Sequence, residues 1–471
     1  MENNFIEEVK IKPRKDSTSS NSTCSSTSLE EKKYLIDKIE KTEIDPDTKT
    51  SEFEIIITEN EKNDEEEEID EVEKVGKTCS QKFFEYFKCK SSKILNEEQI
   101  KDGERTIEEI INSKGFKCEK HEVRTEDGYI LTLFRIPGGK QCEDSSKLPP
   151  VLLQHGVFDS SDSWVCNGEN HSLAFVLANN NFDVWLSNSR GNKYCKKHDN
   201  FQENSYEFWQ FSFHHLGIYD IPSVIKYIRQ INKSGQKIIY FGHSQGATLM
   251  FSGLVENYLF YKENIKLFVA LAPVTRINNI GSSLLNFICN ISLHKIMMRR
   301  KVYEICPYTK GTHKLISFIN RYAKCLTNYF IGLLSDSNSK EYNDQKSLSV
   351  YLKHYPCGTS LNCLIHYIQI IKAKKFIHFD YGKEKNIEIY NQEKPPEYNL
   401  NKIKDIPIMI ISGEKDKLAT PEDVRWLYNE LKTNVLYFNI VPNMGHLSFM
   451  VGNNFSWFNE PLDIIKEDFY K

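Results

Sequence analysis

Residues 237–249 read Lys-Ile-Ile-Tyr-Phe-Gly-His-Ser-Gln-Gly-Ala-Thr-Leu, and the pentapeptide Gly242-His243-Ser244-Gln245-Gly246 lies between two different periodicities. Before it, Lys237 to Phe241 has the length and apolar character of a buried strand; after it, Gln245 to Tyr258 has a helical period. A GxSxG sequence between a strand and a helix predicts a sharp, strained turn. Its glycines let the chain make that turn, and its serine projects from it at a helix N-terminus. Ser244 is therefore a candidate nucleophile.

A serine hydroxyl is unreactive at its own pKa, so it needs a base, and the base needs a carboxylate that fixes its tautomer and stabilises the imidazolium. After such an elbow the acid and then the histidine are expected in chain order. Two loops meet that order. Ser412-Gly413-Glu414-Lys415-Asp416 follows the apolar strand Ile406 to Ile411 and precedes Thr420-Pro421-Glu422, a helix start, which puts Asp416 at a strand's carboxyl end. Asn443-Met444-Gly445-His446 follows the strand Val435 to Val441, which puts His446 at the equivalent end of the next strand. A tetrahedral oxyanion also needs two backbone N–H donors. The residue after the nucleophile supplies one, Gln245. The other is expected where the strand Pro150 to Leu153 runs into Gln154-His155-Gly156-Val157, with Gly156 permitting the turn and Val157 offering its amide.

Outward from these loops the chain alternates short apolar runs with helical stretches. Asp183 to Leu186 and Leu267 to Leu271 add to the strands, and His171 to Leu177 and Asp220 to Ile231 to the helices. Continuous apolar strands separated by helices imply a mostly parallel sheet covered on both faces, so the fold class is α/β. Ahead of it, Ile107, Ile110, Ile111 and Phe116 mark a helix, and His121 to Val123 and Tyr129 to Arg135 form a hairpin around Glu126-Asp127-Gly128. Residues of about 275–375 break the alternation with the helical stretches Ile280 to Leu293, Ile316 to Leu334 and Leu361 to Ile371, and no buried strand. Such an insertion predicts a helical cap and lid over the carboxyl ends of the strands.

Residues 1–95 read as a disordered extension of the 96–471 catalytic domain. They carry a Ser/Thr run at 17–28 and the acidic block Asp64 to Glu68, with few apolar side chains to offset the entropy of ordering. Phe83 to Phe87, flanked by Lys82, Lys88 and Lys90, reads as a helix packed on the body. The formal net charge of −4 hides an asymmetry: residues 1–75 hold 23 acidic and 11 basic side chains, the other 396 residues 42 acidic and 50 basic. Neither sum marks a nucleic-acid-binding surface. Runs are too short for a spanning helix, and the first 15 residues lack the apolar region of a secretory signal. The 12 cysteines form no CxxC pair, so neither a zinc module nor a disulfide scaffold is expected. Cytoplasm, or the periphery of a membrane or lipid droplet, is the expected location.

Several longer motifs carry a resemblance. Leu153-Gln154-His155-Gly156, Asp183 to Asn192 (DVWLSNSRGN), Glu207 to Phe213 (EFWQFSF), the Ser244 elbow, Tyr351 to Ser360 (YLKHYPCGTS) and Lys394 to Tyr398 (KPPEY) occur in this order and spacing. Together with Asp416 and His446 they make residues of about 100–470 resemble the acid lipases, the family of gastric lipase, lysosomal acid lipase and steryl ester hydrolases. The resemblance implies an α/β-hydrolase core with a cap, cleaving carboxylic esters of neutral lipids, triacylglycerol or steryl ester, without a cofactor. It assigns Ser244, Asp416 and His446 as nucleophile, acid and base, and Val157 and Gln245 as oxyanion donors. Three features depart from the family pattern. An acidic tail stands where secreted members have a signal peptide, Cys289, Cys306 and Cys325 are widely spaced, and the histidine sits in Met444-Gly445-His446-Leu447. Two other readings are a carboxylesterase for small soluble esters and a non-catalytic lipid-binding scaffold.

Overall fold

The computed structural model of the chain describes residues 96–282, 293–309, 311–313, 315–316 and 344–470. The tail, Phe83 to Phe87 and most of the stretches Ile280 to Leu293 and Ile316 to Leu334 lie outside the described residues.

The strands are β1 (Glu119–Arg124), β2 (Tyr129–Pro137), β3 (Pro150–Gln154), β4 (Asp183–Leu186), β5 (Lys197–His198), β6 (Ile238–His243), β7 (Ile265–Leu271), β8 (Glu304–Ile305), β9 (Thr359–Ser360), β10 (Ile408–Gly413) and β11 (Val435–Val441). They form a sheet of order β1-β2-β4-β3-β6-β7-β10-β11, with β5 added on β2. β1, β2 and β4 are linked antiparallel, and from β4 to β11 every pairing is parallel. Every residue of β3, β4, β6 and β10 is buried, as a sheet covered by helices on both faces requires. The α/β expectation stands.

Local chemistry sets the element ends. Thr106 and Glu109 close a capping box on the helix Ile107–Ser113. In the β1–β2 turn the Thr125 hydroxyl donates to Asp127 Oδ1 at 2.7 Å. The helical stretch read from Gln245 to Tyr258 divides at Asn257 into Gln245–Glu256 and Tyr258–Asn264, because Asn257 leaves helical geometry at φ −133°, ψ 55°. Between β7 and β10 the described helices are Leu293–Arg299, Gln345–His354, Leu361–Ala373 and Lys383–Tyr390. One expectation fails there: β8 and β9 pair antiparallel inside the supposedly all-helical insertion, and β9 is buried. At two residues each, they are too short to leave a period in the sequence.

The DVWLSNSRGN motif supplies polar bolts through this core. Asp183, fully buried, accepts from Arg135 Nε (2.7 Å), Trp185 Nε1 (2.9 Å) and Asn232 Nδ2 (2.8 Å). Arg190 is equally buried; its Nε donates to Asp220 Oδ1 at 2.7 Å, its Nη2 to Asp127 Oδ1 at 2.8 Å, and its guanidinium lies 3.9 Å from the Tyr129 ring centroid. Asp127 is held below the usual carboxylate range: burial opposes this, and the Arg190 guanidinium outweighs it. Removing the cation would strand two carboxylates, so Arg190→Leu is expected to cost about 3–5 kcal/mol. Chemical denaturation of the two proteins measures that loss, and a difference below about 1 kcal/mol would contradict it.

Candidate active site

Ser244 follows β6 at φ 54°, ψ −115°, in the left-handed half of backbone space that non-glycine residues enter only under constraint. The constraint is packing. Its N–H donates to the Leu271 carbonyl at 2.9 Å, and its carbonyl accepts from Ala247 N at 3.0 Å as the helix Gln245–Glu256 begins. A Cβ on Gly246 would lie 2.4 Å from the Gln154 carbonyl oxygen, and one on Gly242 would lie 2.5 Å from the Gly246 carbonyl carbon. The two glycines of GxSxG are therefore required by three backbone segments meeting at contact distance.

The acid and base loops leave the adjacent strands β10 and β11 and come together. His446 Nδ1 lies 2.7 Å from Asp416 Oδ2, with both side chains buried. The other carboxylate oxygen, Oδ1, accepts from the amides of Leu418 and Ala419, each at 2.8 Å, so the carboxylate is oriented from both ends. The loops are also laced by backbone: Lys415 N donates to the Met444 carbonyl at 2.8 Å and Glu414 N to the Val441 carbonyl at 3.0 Å. A carboxylate on Nδ1 leaves Nε2 as the base, the tautomer that serine activation needs.

His243, inside the elbow, reaches the His446 loop. Its Nε2–H donates to the His446 carbonyl at 3.0 Å, tying the elbow to the base loop. Burial first, and His446 next, push His243 down to about 3, so it stays neutral and keeps that donor. His155 is a second such residue. Its Nδ1–H donates to the Gly156 carbonyl at 2.7 Å while Nε2 accepts from Ser189 N at 3.1 Å; burial lowers its pKa to about 4. Since the Gly156 carbonyl and the Val157 N–H share one planar trans peptide, His155 also fixes the direction of that N–H. Neither role has a sequence signal, because each depends on a contact between distant segments or on a local angle.

Gly156 faces Ser244: a Cβ there would lie 3.2 Å from Ser244 Cβ. The loop carrying Val157 thus passes beside Ser244, and Gln245 follows it directly. The N–H groups of Val157 and Gln245 have no acceptor among the described residues. His214 and His215, which carry no partner signature in the sequence, do have partners. His214 Nδ1 lies 2.7 Å from the Tyr398 hydroxyl of the KPPEY motif, and His215 Nδ1 accepts from Ser212 N at 3.1 Å. Among the described residues no group of three or more His, Cys, Asp or Glu is placed to hold a metal ion.

The family models and relatives agree with this architecture. Residues 107–168 match the partial alpha/beta-hydrolase lipase region, and residues 149–288 match the alpha/beta hydrolase fold. The chain is 37% identical to gastric triacylglycerol lipase of Rattus norvegicus over 371 residues, 77% of this chain and 92% of that protein. It is 36% identical to lysosomal acid lipase/cholesteryl ester hydrolase of Macaca fascicularis over 370 residues, 77% of this chain and 90% of that protein. Lipase member K of Homo sapiens is 35% identical over 354 residues, 74% of this chain and 87% of that protein. With relatives of this identity matched over about three quarters of this chain and most of their own length, the chain belongs to the acid lipase family of α/β-hydrolases.

Proposed function

We propose that this lipase hydrolyses long-chain esters of neutral lipids, triacylglycerol or steryl ester, with Ser244 as nucleophile, His446 as base, Asp416 as its orienting acid, and the amides of Val157 and Gln245 as oxyanion donors. The observation that carries the reading is the buried 2.7 Å His446–Asp416 pair, tied to the Ser244 elbow through His243. The named activities of the gastric and lysosomal relatives support the substrate class.

In the first half-reaction His446 Nε2 takes the Ser244 proton as the oxygen bonds to the ester carbonyl carbon, and the carbonyl electrons move onto an oxyanion held by the two amides. Collapse breaks the bond to the alcohol oxygen, which leaves with the proton from His446. Water then repeats the sequence on the acyl-serine and releases the fatty acid. Asp416 does no proton transfer; it keeps the imidazole in the tautomer that can accept at Nε2.

The lipid surface has its own candidate contact. In the segment 293–303 there is no acidic residue, and Lys295, Arg299, Arg300 and Lys301 are exposed with no ion-pair partner among the described residues. Ile296 and Met298 stand beside them at 51% and 48% exposure, while Met297 faces inward onto the cluster of Ile305, Leu361 and Ile365. Apolar side chains between cations fit an anionic lipid surface.

Three outcomes are expected. Ser244→Ala removes turnover of emulsified triolein, cholesteryl oleate and a short soluble ester alike, and abolishes labelling by a fluorophosphonate; retained turnover refutes the nucleophile. Asp416→Asn lowers kcat by on the order of 10³–10⁴-fold with KM little changed. Replacing Lys295, Arg299, Arg300 and Lys301 together by Gln weakens binding to phosphatidylserine vesicles at low salt by on the order of 10²–10³-fold, with soluble-ester turnover unchanged. Sedimentation with vesicles reads the last, and equal binding by both proteins rejects this surface.

A further inference from the structure

The motif Tyr351 to Ser360 takes no part in the chemistry above, yet it meets the loop that carries Val157. Tyr351 and His354 lie three residues apart on one face of the helix Gln345–His354, and Asp159 and Asp162 lie three residues apart in the loop after β3. The two pairs meet in register. The Tyr351 hydroxyl donates to Asp159 Oδ2 at 2.9 Å, and His354 Nδ1 lies 2.9 Å from Asp162 Oδ2. Beyond the helix, Cys357 N donates to the Phe158 carbonyl at 2.7 Å. Phe158 itself sits at φ 61°, a conformation that an L side chain holds only when its surroundings impose it.

From this juxtaposition we propose that Tyr351, His354 and the Cys357 amide are positioning elements for the reaction: they hold the oxyanion loop from the insertion side, so that the Val157 N–H is aimed before substrate arrives. The proposal rests on the reading of Val157 as an oxyanion donor. Its neighbours are fixed on both sides, the Gly156 carbonyl by His155 and the Phe158 carbonyl by Cys357. Donors that need no reorganisation at the moment of reaction are the ones that lower a barrier.

The surroundings fit a rigid clamp. Asp159 Oδ1 accepts from Ser160 N at 2.8 Å, so both its oxygens are engaged. Asp162 also accepts from the Tyr194 hydroxyl at 2.8 Å and pairs with Lys193, and His354 Nε2–H donates to the Asp102 carbonyl at 2.9 Å. Burial pushes the Asp159 carboxyl up to about 7, with the neighbouring Asp162 adding to the rise and the Ser160 amide and Tyr351 hydroxyl opposing it. Those two contacts are therefore where this buried carboxyl finds its compensation.

Tyr351→Phe removes one oxygen and leaves the ring. Rates are measured on a short soluble ester, per active site titrated with a fluorophosphonate, alongside the affinity of a boronic acid that mimics the tetrahedral oxyanion. The expected result is a fall in kcat of on the order of 10-fold, part of the ~10²–10³-fold that losing a whole donor costs, with KM within about two-fold and the boronate weakened by the same factor as kcat. His354→Gln, read the same way, serves if Tyr351→Phe does not fold. Unchanged kcat per titrated site, with only the melting temperature lowered, would reduce the contact to structural packing and overturn the proposal. A wild-type protein without esterase activity, or an active Ser244→Ala protein, would instead overturn the underlying function.

Discussion

The whole site depends on one steric condition, the near-contact of three backbone segments at the elbow. The helix after Ser244 starts against the end of β3, with Gly246 so close to the Gln154 carbonyl that no side chain fits between them. Because β3 and β6 are hydrogen-bonded neighbours, that approach brings Gly156, and with it the loop proposed to supply an oxyanion donor, beside Ser244. Because β6 pairs β7 and β7 pairs β10, the Asp416 loop lies two strands along from the elbow, and β11 adds the His446 loop at the same end. In a parallel sheet all these loops leave from the carboxyl edge, so the sheet order alone collects them on one side.

The interior around the sheet holds buried charged groups, and these have partners. Asp183, Arg190, Asp162 and Asp416 are all buried, and each has several partners. Buried ion pairs are poor contributors to net stability, since desolvation cancels most of the attraction. Their effect here is geometric. Asn188 Oδ1 accepts from Ser161 N at 3.0 Å and its Nδ2 donates to the Thr132 carbonyl at 3.0 Å, so the loop after β3 is bolted to β2 as well as to the insertion. A loop bound on several sides by directional contacts has one conformation, which apolar packing alone does not impose.

The elbow and the candidate acid and base loops were legible because their signals are local. A strand period, two glycines around a serine and a helix period fit in 13 residues, 237–249, and Asp416 and His446 each follow a buried strand directly. The two short strands of the insertion, the break at Asn257 and the partners of His214 were not legible. Each is decided by what a segment packs against: Ile305 of β8 pairs with Thr359 of β9 across more than 50 intervening residues, and His214 meets Tyr398 across a separation of 184. Motif resemblance marked YLKHYPCGTS and KPPEY as distinctive without saying what they touch.

From the residues alone came the α/β fold class, the main strands and helices, and the candidate nucleophile, acid, base and oxyanion amides, because these follow from periodicity, turn chemistry and the fixed chain order of the elbow, acid and base; the family came from the resemblance of the longer motifs. Tertiary structure alone decided which groups aim them. That His243 holds the His446 backbone, that His155 sets the Gly156–Val157 peptide, and that Tyr351 and His354 meet Asp159 and Asp162 are facts about side chains 3 Å apart in space and up to 203 positions apart in sequence. A hydrogen bond is set by distance and angle, and neither is a property of any one stretch of chain.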